Sequence, residues 1–230
     1  MGMGGGSSYT ALMAILGFSA LTIPMISLSL NLMVTTIGSF NFIRHKHARF
    51  KLILPFLISS IPMAYLGGMI KLPREIFYSV LLVSLIFVAI RIYGWKDTSF
   101  KLNISASGKI LISLLAGSIL GLVAGIAGIG GGIYLVPLII LLGLGSAKEA
   151  AACGVIFIWF NSLSGLIARL EYNPIDLTQH IPLIVSVIIG GTAGSLLGST
   201  KLSPKVMEKI LGIIILVAIV FLIRKIILFI

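Results

Sequence analysis

The sequence predicts an all-α polytopic membrane protein of about seven or eight transmembrane segments, built as two inverted repeats with glycine-broken hairpins. Three observations predict it. Hydrophobic residues make up 58% of the 230 and charged ones 10%, at a mean hydropathy of +1.18, so most of the chain suits lipid better than water. The apolar residues fall into stretches near the roughly 20 residues that cross a bilayer as a helix. The run Gly2-Met3-Gly4-Gly5-Gly6 recurs as Gly128-Ile129-Gly130-Gly131-Gly132, at an offset of 126 residues.

The expected spans run from about Pro24 to Phe42, Leu52 to Ile70, Ile76 to Tyr93, Ile110 to Ala127, Ala150 to Leu170, Ile181 to Leu197 and Met207 to Phe229. Two shorter pieces, Ser8 to Leu16 and Ile133 to Leu142, follow the glycine runs. Each is too short to cross comfortably and reads as half of a re-entrant or broken hairpin. Residues 1–230 are expected to form one transmembrane domain, with repeat one over about 1–100 and repeat two over about 105–230. No polar segment is long enough for a soluble domain. The lone Cys153 lies inside an apolar run, where it reads as a small core residue with no disulfide partner.

The net charge of +11 would suggest nucleic acid in a soluble chain, but here the basic residues occupy short loops between apolar stretches. Topology accounts for them instead. Assigning loops to alternate sides groups Arg44, Lys46, Arg49, Lys51, Arg91, Lys96, Lys101, Lys109, Lys148, Lys201, Lys205 and Lys209 against Lys71, Arg74, Arg169, Arg224 and Lys225. The positive-inside rule makes the larger group cytoplasmic, provided each glycine hairpin enters and leaves on one side.

At the 126-residue offset, Gly2, Gly4, Gly5, Gly6, Leu12, Leu16 and Gly17 match Gly128, Gly130, Gly131, Gly132, Leu138, Leu142 and Gly143. Pro55 pairs with Pro182 and Gly67 with Gly194 after small gaps. The loop after Phe42 is strongly basic, whereas its counterpart after Leu170 carries Glu171 and Asp176 and follows a single Arg169. Equivalent loops with opposite topological signals are what an inverted repeat requires. The second glycine run follows the helix from about Ile110 to Ala127, and nothing precedes the first. The expectation is a true start upstream of Met1, the alternative being a lost opening helix.

Gly128-Ile-Gly-Gly-Gly-Ile-Tyr-Leu-Val-Pro137, the stretch Gly143 to Ala152, and Asn161-Ser162-Leu163-Ser164-Gly165 resemble the second repeat of the sulfite exporter TauE/SafE family. Gly4-Gly5-Gly6, Ser29-Leu30-Asn31-Leu32 and Pro62-Met-Ala-Tyr-Leu-Gly-Gly68 resemble its first. The resemblance implies a permease or exporter for small anions, sulfur-containing ones such as sulfite or organosulfonates. One departure is that the first hairpin reads Ser7-Ser8-Tyr9-Thr10-Ala11 where the second has Ile133-Tyr134-Leu135-Val136-Pro137, losing the proline and gaining polarity.

The chemistry expected of such a chain comes from broken helices. Several glycines together unwind a helix and let a ligand approach bare N–H groups. Helix N-termini after Gly6 and Gly132 would each aim about half a positive charge at the membrane interior, which suits an anion. The candidate substrate site therefore comprises Gly4, Gly5, Gly6, Ser7, Asn31, Thr35 and Thr36 from the first half, and Gly130, Gly131, Gly132, Asn161 and Ser162 from the second. Thr35 and Thr36 align with Asn161 and Ser162 at the same offset. Ser8, Thr10 and Ser164 are further polar neighbours. Gly190, Gly194 and Gly198 read as helix packing, and Gly131→Val is expected to stop function while leaving much of the protein folded.

Enzyme chemistry finds no support, since no segment pairs a nucleophile with a base and His45, His47 and His180 all sit near loops. Glycines 125 to 132 form no dinucleotide fingerprint without a βαβ unit around them. No acidic residue lies deep in an expected span, so tight proton coupling through an embedded carboxylate is disfavoured. The chain is thus read as a multi-pass protein of a prokaryotic plasma membrane with no cofactor and no metal. Its partners are a small anionic substrate and the lipid bilayer, with a homodimer left open and nucleic acid excluded. The competing readings are an anion channel and a non-transporting scaffold subunit.

Overall fold

The structure, a computed structural model, describes residues 5–94, 105–171, 181–187, 189–190 and 204–227. Every regular element among them is helical. In chain order these are α1 (Gly6–Ile15), α2 (Thr22–Arg44), α3 (Phe50–Met69), α4 (Arg74–Gly94), α5 (Ala106–Ala127), α6 (Gly132–Leu141), α7 (Ala147–Leu170) and α8 (Pro204–Ile227). Residues 181–187 are helical too, and the rest of the expected span from Ile181 to Leu197 lies almost wholly outside the described residues. Among the described residues, six helices are long and apolar enough to cross a membrane. The protein is a polytopic all-α membrane protein, and lipid-sized apolar side chains such as Ile37, Phe40, Ile58, Val83, Ile119 and Val220 cover its outside.

Helix ends fall within four residues of the expected ones because apolar runs set the middles while caps set the starts. Ser146 and Glu149 form a capping box that begins α7 at Ala147, three residues before the expected Ala150. Ser105 accepts a hydrogen bond from the Gly108 amide and begins α5 at Ala106. Pro55 and Pro62 lie inside α3, a placement that membrane helices tolerate where neighbours and hydroxyls re-satisfy the backbone. Beside Pro62, the Ile61 carbonyl accepts a further bond from Ser164 Oγ at 2.7 Å, which ties α3 to α7.

Contacts between helices fix their directions. Gly117, Gly121 and Gly125 of α5 press against Phe56, Ser60 and Ala64 of α3, in the same order along both chains. The two helices are therefore parallel, joined along a seam in which a Cβ on any of the three glycines would overlap α3 backbone. Ile61, Tyr65 and Gly68 of α3 likewise meet Ser164, Glu171 and Ala168 at the C-terminal end of α7, so α7 is parallel to both. Against these, α2 runs antiparallel to α7: Gly38, Thr36 and Leu28 meet Val155, Trp159 and Gly165 in turn. Tyr93 and Tyr78 of α4 meet Gly212 and Lys225 of α8, an antiparallel pair.

These directions sort the charged ends. Arg44, Lys46, Arg49, Lys51, Arg91, Lys109, Lys148 and Lys209 gather at one end of the bundle. Lys71, Arg74, Arg169, Arg224 and Lys225 gather at the other. Arg169 is not a loop residue, however: it belongs to the last turn of α7 and is 4% exposed. Cys153 is buried with a free thiol among Ile53, Phe56, Leu135 and Ile139.

Candidate functional site

Both short helices start on a left-handed glycine. Gly5 before α1 has φ of 87°, Gly131 before α6 has φ of 79°, and neither helix receives a side-chain cap. Only glycine adopts this backbone without a Cβ penalty. Gly128 and Gly130, at 74° and 80°, complete the second turn. The two helices also share length and register, ten residues each, and each is followed by another positive-φ glycine, Gly17 and Gly143.

The N-termini of α1 and α6 meet in the interior. A Cβ on Gly6 would overlap the carbonyl of Ile129 and lie 2.9 Å from Asn31 Nδ2, and one on Gly130 would lie 3.0 Å from that same nitrogen. From there the helices diverge. Phe18, just after α1, accepts a hydrogen bond from Tyr78 near the start of α4, whereas Leu144, just after α6, sits with Arg49, Lys51 and Lys109 at the basic end. Two helix N-termini, each with unpaired N–H groups in its first turn, thus converge from opposite ends of the bundle.

α2 supplies the side chains that bridge the turns. Asn31 Nδ2 donates to the Gly128 carbonyl at 3.4 Å, and Ser27 Oγ donates to it at 2.7 Å while lying 3.5 Å from the Gly6 carbonyl. Ser27 was not among the sequence candidates. It stands one turn before Asn31, and the polar series Ser27, Asn31, Thr35 at four-residue spacing in an apolar helix was the available signal.

The other candidates divide. Ser162 is fully buried on α7, its Oγ 3.3 Å from where a Gly130 Cβ would stand. Asn161 is fully buried and donates from Nδ2 to the Phe157 carbonyl of its own helix at 2.8 Å. Thr35 is buried with its hydroxyl donating to the Asn31 carbonyl at 2.6 Å. Thr36 faces outward, donating to the Leu32 carbonyl and accepting from Trp159 Nε1 at 2.9 Å, so the structure does not bring it to the turns. Its hydroxyl instead ties α2 to α7. Ser7 is buried in the first turn of α1. Gly132 approaches Ile158 and the Gly154 carbonyl. Thr10 bonds backward to the Gly6 and Ser7 carbonyls, and Ser164 bonds α3. Gly4, Gly194 and Gly198 lie outside the described residues, and Gly190 has no described neighbour within 4 Å of a Cβ.

Among the described residues, Asn31 Oδ1, Asn161 Oδ1 and Ser162 Oγ are buried without a hydrogen-bond partner, as are Ser39 Oγ and Ser60 Oγ. The amide orientations of both asparagines are set by the carbonyls that face their nitrogens. Each orphaned group costs about 1–3 kcal/mol, and three of them belong to candidate site residues on the two helices that flank the glycine turns. Buried polar groups left this way mark places where a ligand can complete the bonding.

A profile for the family described as Sulfite exporter TauE/SafE matches residues 1–222. The chain belongs to the sulfite exporter TauE/SafE family. It is also 32% identical, over 222 residues, to a Sinorhizobium fredii protein named "Probable membrane transporter protein y4hK", a match that covers 95% of this chain and 89% of that one. No solved structure matches. Membership of the TauE/SafE family makes the chain a membrane transporter, and it places the paired glycine turns inside a protein whose work is moving solutes.

Proposed function

We propose that the chain carries a small sulfur-containing anion, sulfite or an organosulfonate, through a site at the interface of two inverted repeats. The observation that carries the reading is the meeting of the α1 and α6 N-termini at Gly6 and Ile129, with Asn31 reaching both turns. Each N-terminus contributes about half a positive charge, and in a low-dielectric interior two such ends favour one anion without any charged side chain. The Ser162 hydroxyl and the asparagine amides add donors, while the asparagine oxygens accept. An oxyanion that keeps one proton uses both. The turns touch in this conformation, so an anion enters when they part, as the rocking of one repeat against the other would allow.

Inversion of the repeats has its own test. Single cysteines at His47 and Asn173, in a Cys153→Ser background, are expected to label from opposite sides of intact cells, with His47 cytoplasmic. Labelling of both from one side would end the inverted reading.

Substrate and direction are tested together. Thermal-shift screening of sulfite, organosulfonates, thiosulfate and carboxylates is expected to select the sulfur oxyanions. Proteoliposomes loaded with the selected anion, with the potential clamped by potassium and valinomycin, should then show outward flux that rises with an inside-negative potential, which supplies about 2.3 kcal/mol per charge per 100 mV. Carboxylate-only stabilisation would reject the substrate class. Flux that follows a proton or sodium gradient and ignores the potential would replace uncoupled export with electroneutral coupling, channel-scale conductance would favour a channel, and absence of flux for every anion would favour a scaffold.

A further inference from the structure

At the basic end of the bundle, the first turns of α3 and α5 and the segment after α6 enclose an open cleft of about 220 Å³ lined by Arg49, Lys51, Leu52, Pro55, Lys109, Ile110, Ser113 and Leu144. The length of α6, Gly132–Leu141, separates it from the second glycine turn. Its charges stand where helix physics disfavours them. Arg49 is the N-cap of α3, Lys51 lies in that helix's first turn, and Lys109 lies in the first turn of α5. A helix N-terminus already carries partial positive charge, so cations there are unfavourable and acids are preferred. Neither first turn contains an acid. Among the described residues the acid facing the group is Glu149, whose Oε1 lies 3.5 Å from Arg49 Nη1, which leaves two lysines and the N-terminal end of α3 converging on one cleft.

We infer that this cleft binds the phosphodiester headgroup of an anionic phospholipid. An oxyanion would be held by Lys51, Lys109 and the N-terminal end of α3. The lining chooses the lipid over a free oxyanion, because half of it is apolar. Leu52, Pro55, Ile110 and Leu144 form walls that a hydrated anion does not need. The outer faces of the same two helices continue those walls with Leu54, Ile58, Leu111 and Leu115, all exposed, giving an acyl chain a surface to follow away from the headgroup. Basic pockets between membrane helices are known hosts for acidic headgroups.

The test uses the full chain purified in detergent, with phosphatidylglycerol and phosphatidylcholine titrated against it and read by native mass spectrometry and thermal shift. Phosphatidylglycerol is expected to bind and stabilise, and phosphatidylcholine to do neither. Each cation near a lipid headgroup is worth about fivefold in affinity, so Lys51→Gln with Lys109→Gln should weaken phosphatidylglycerol binding by at least tenfold. Lys148→Gln, at the same end but outside the cleft, should not. Lys109→Glu separates lipid loss from misfolding, since it should lose the lipid while improving the charge balance of the first turn of α5. Equal binding of the two lipids, or unchanged binding by the double variant, would overturn the inference. So would inorganic phosphate that displaces phosphatidylglycerol and stabilises the protein equally, which would make the cleft a site for free oxyanions.

Discussion

Gly6→Ala is expected to reduce anion flux in proteoliposomes at least tenfold while the helices remain formed. Gly6 is the informative position because it has an ordinary helical φ, unlike Gly5, Gly130 and Gly131. A methyl there brings no backbone strain and acts only through contact, overlapping the Ile129 carbonyl and crowding Asn31 Nδ2. Those are the atoms that join the two turns. Overpacking of this kind costs about 1–3 kcal/mol, and any relief must push α1 and α6 apart or displace Asn31. Gly17→Ala is the matched control: its φ of 82° makes alanine strained, but nothing lies within 4 Å of the added carbon. It should lower the unfolding temperature slightly and leave flux intact. Wild-type flux from Gly6→Ala would remove the meeting of the turns from the transport mechanism.

The expectation that Gly131→Val leaves much of the protein folded does not fit this geometry. Gly131 combines a φ of 79° with a Phe157 ring carbon 2.8 Å from where a Cβ would stand. A β-branched side chain there meets both penalties, so lost flux would not distinguish a damaged site from a damaged fold.

Much of the architecture was legible because it follows from one-dimensional facts. Apolar runs located the helices, and the glycine repeat located both breaks. Loop charges sorted the two ends. What stayed hidden depends on where side chains point around a helix. Thr36 and Ser162 are equivalent at the 126-residue offset, yet Ser162 lies beside Gly130 and Thr36 bonds Trp159 on an exposed face. A match between repeats carries no information about azimuth when the partners of each helix differ. Other signals were present but unread. Gly117, Gly121 and Gly125 at four-residue spacing mark the α3 seam, and Ser146 with Glu149 spells a capping box. That α3 and α5 run parallel through this seam has no local signature, because it joins segments about 60 residues apart in the chain.

Arg169 falls inside the expected span from Ala150 to Leu170, but its burial has no sequence signal, since a charge near a helix end reads as solvated until its partners are known; its removal is expected to be the most damaging change outside the glycine turns. Arg169 Nη2 donates to the carbonyls of Gly125 and Ile126, both at 2.9 Å. These belong to the last turn of α5, where carbonyls have no partner within the helix and the dipole is negative. The next residues are the turn from Gly128 to Gly131. One guanidinium therefore caps α5, ties it to α7 and fixes where the second glycine turn begins. Hydrogen bonds to charged groups contribute about 1.5–3 kcal/mol each, so Arg169→Ala should cost about 3 kcal/mol or more and lower the thermal midpoint measured in detergent by several degrees. Arg169→Lys keeps the charge but not the planar fork, and should fall between alanine and wild type in both stability and flux. A different pattern would reassign the residue. If Arg169→Ala holds the wild-type thermal midpoint and loses only flux, the guanidinium acts on the passing anion, and the capping of α5 is incidental to what this arginine does.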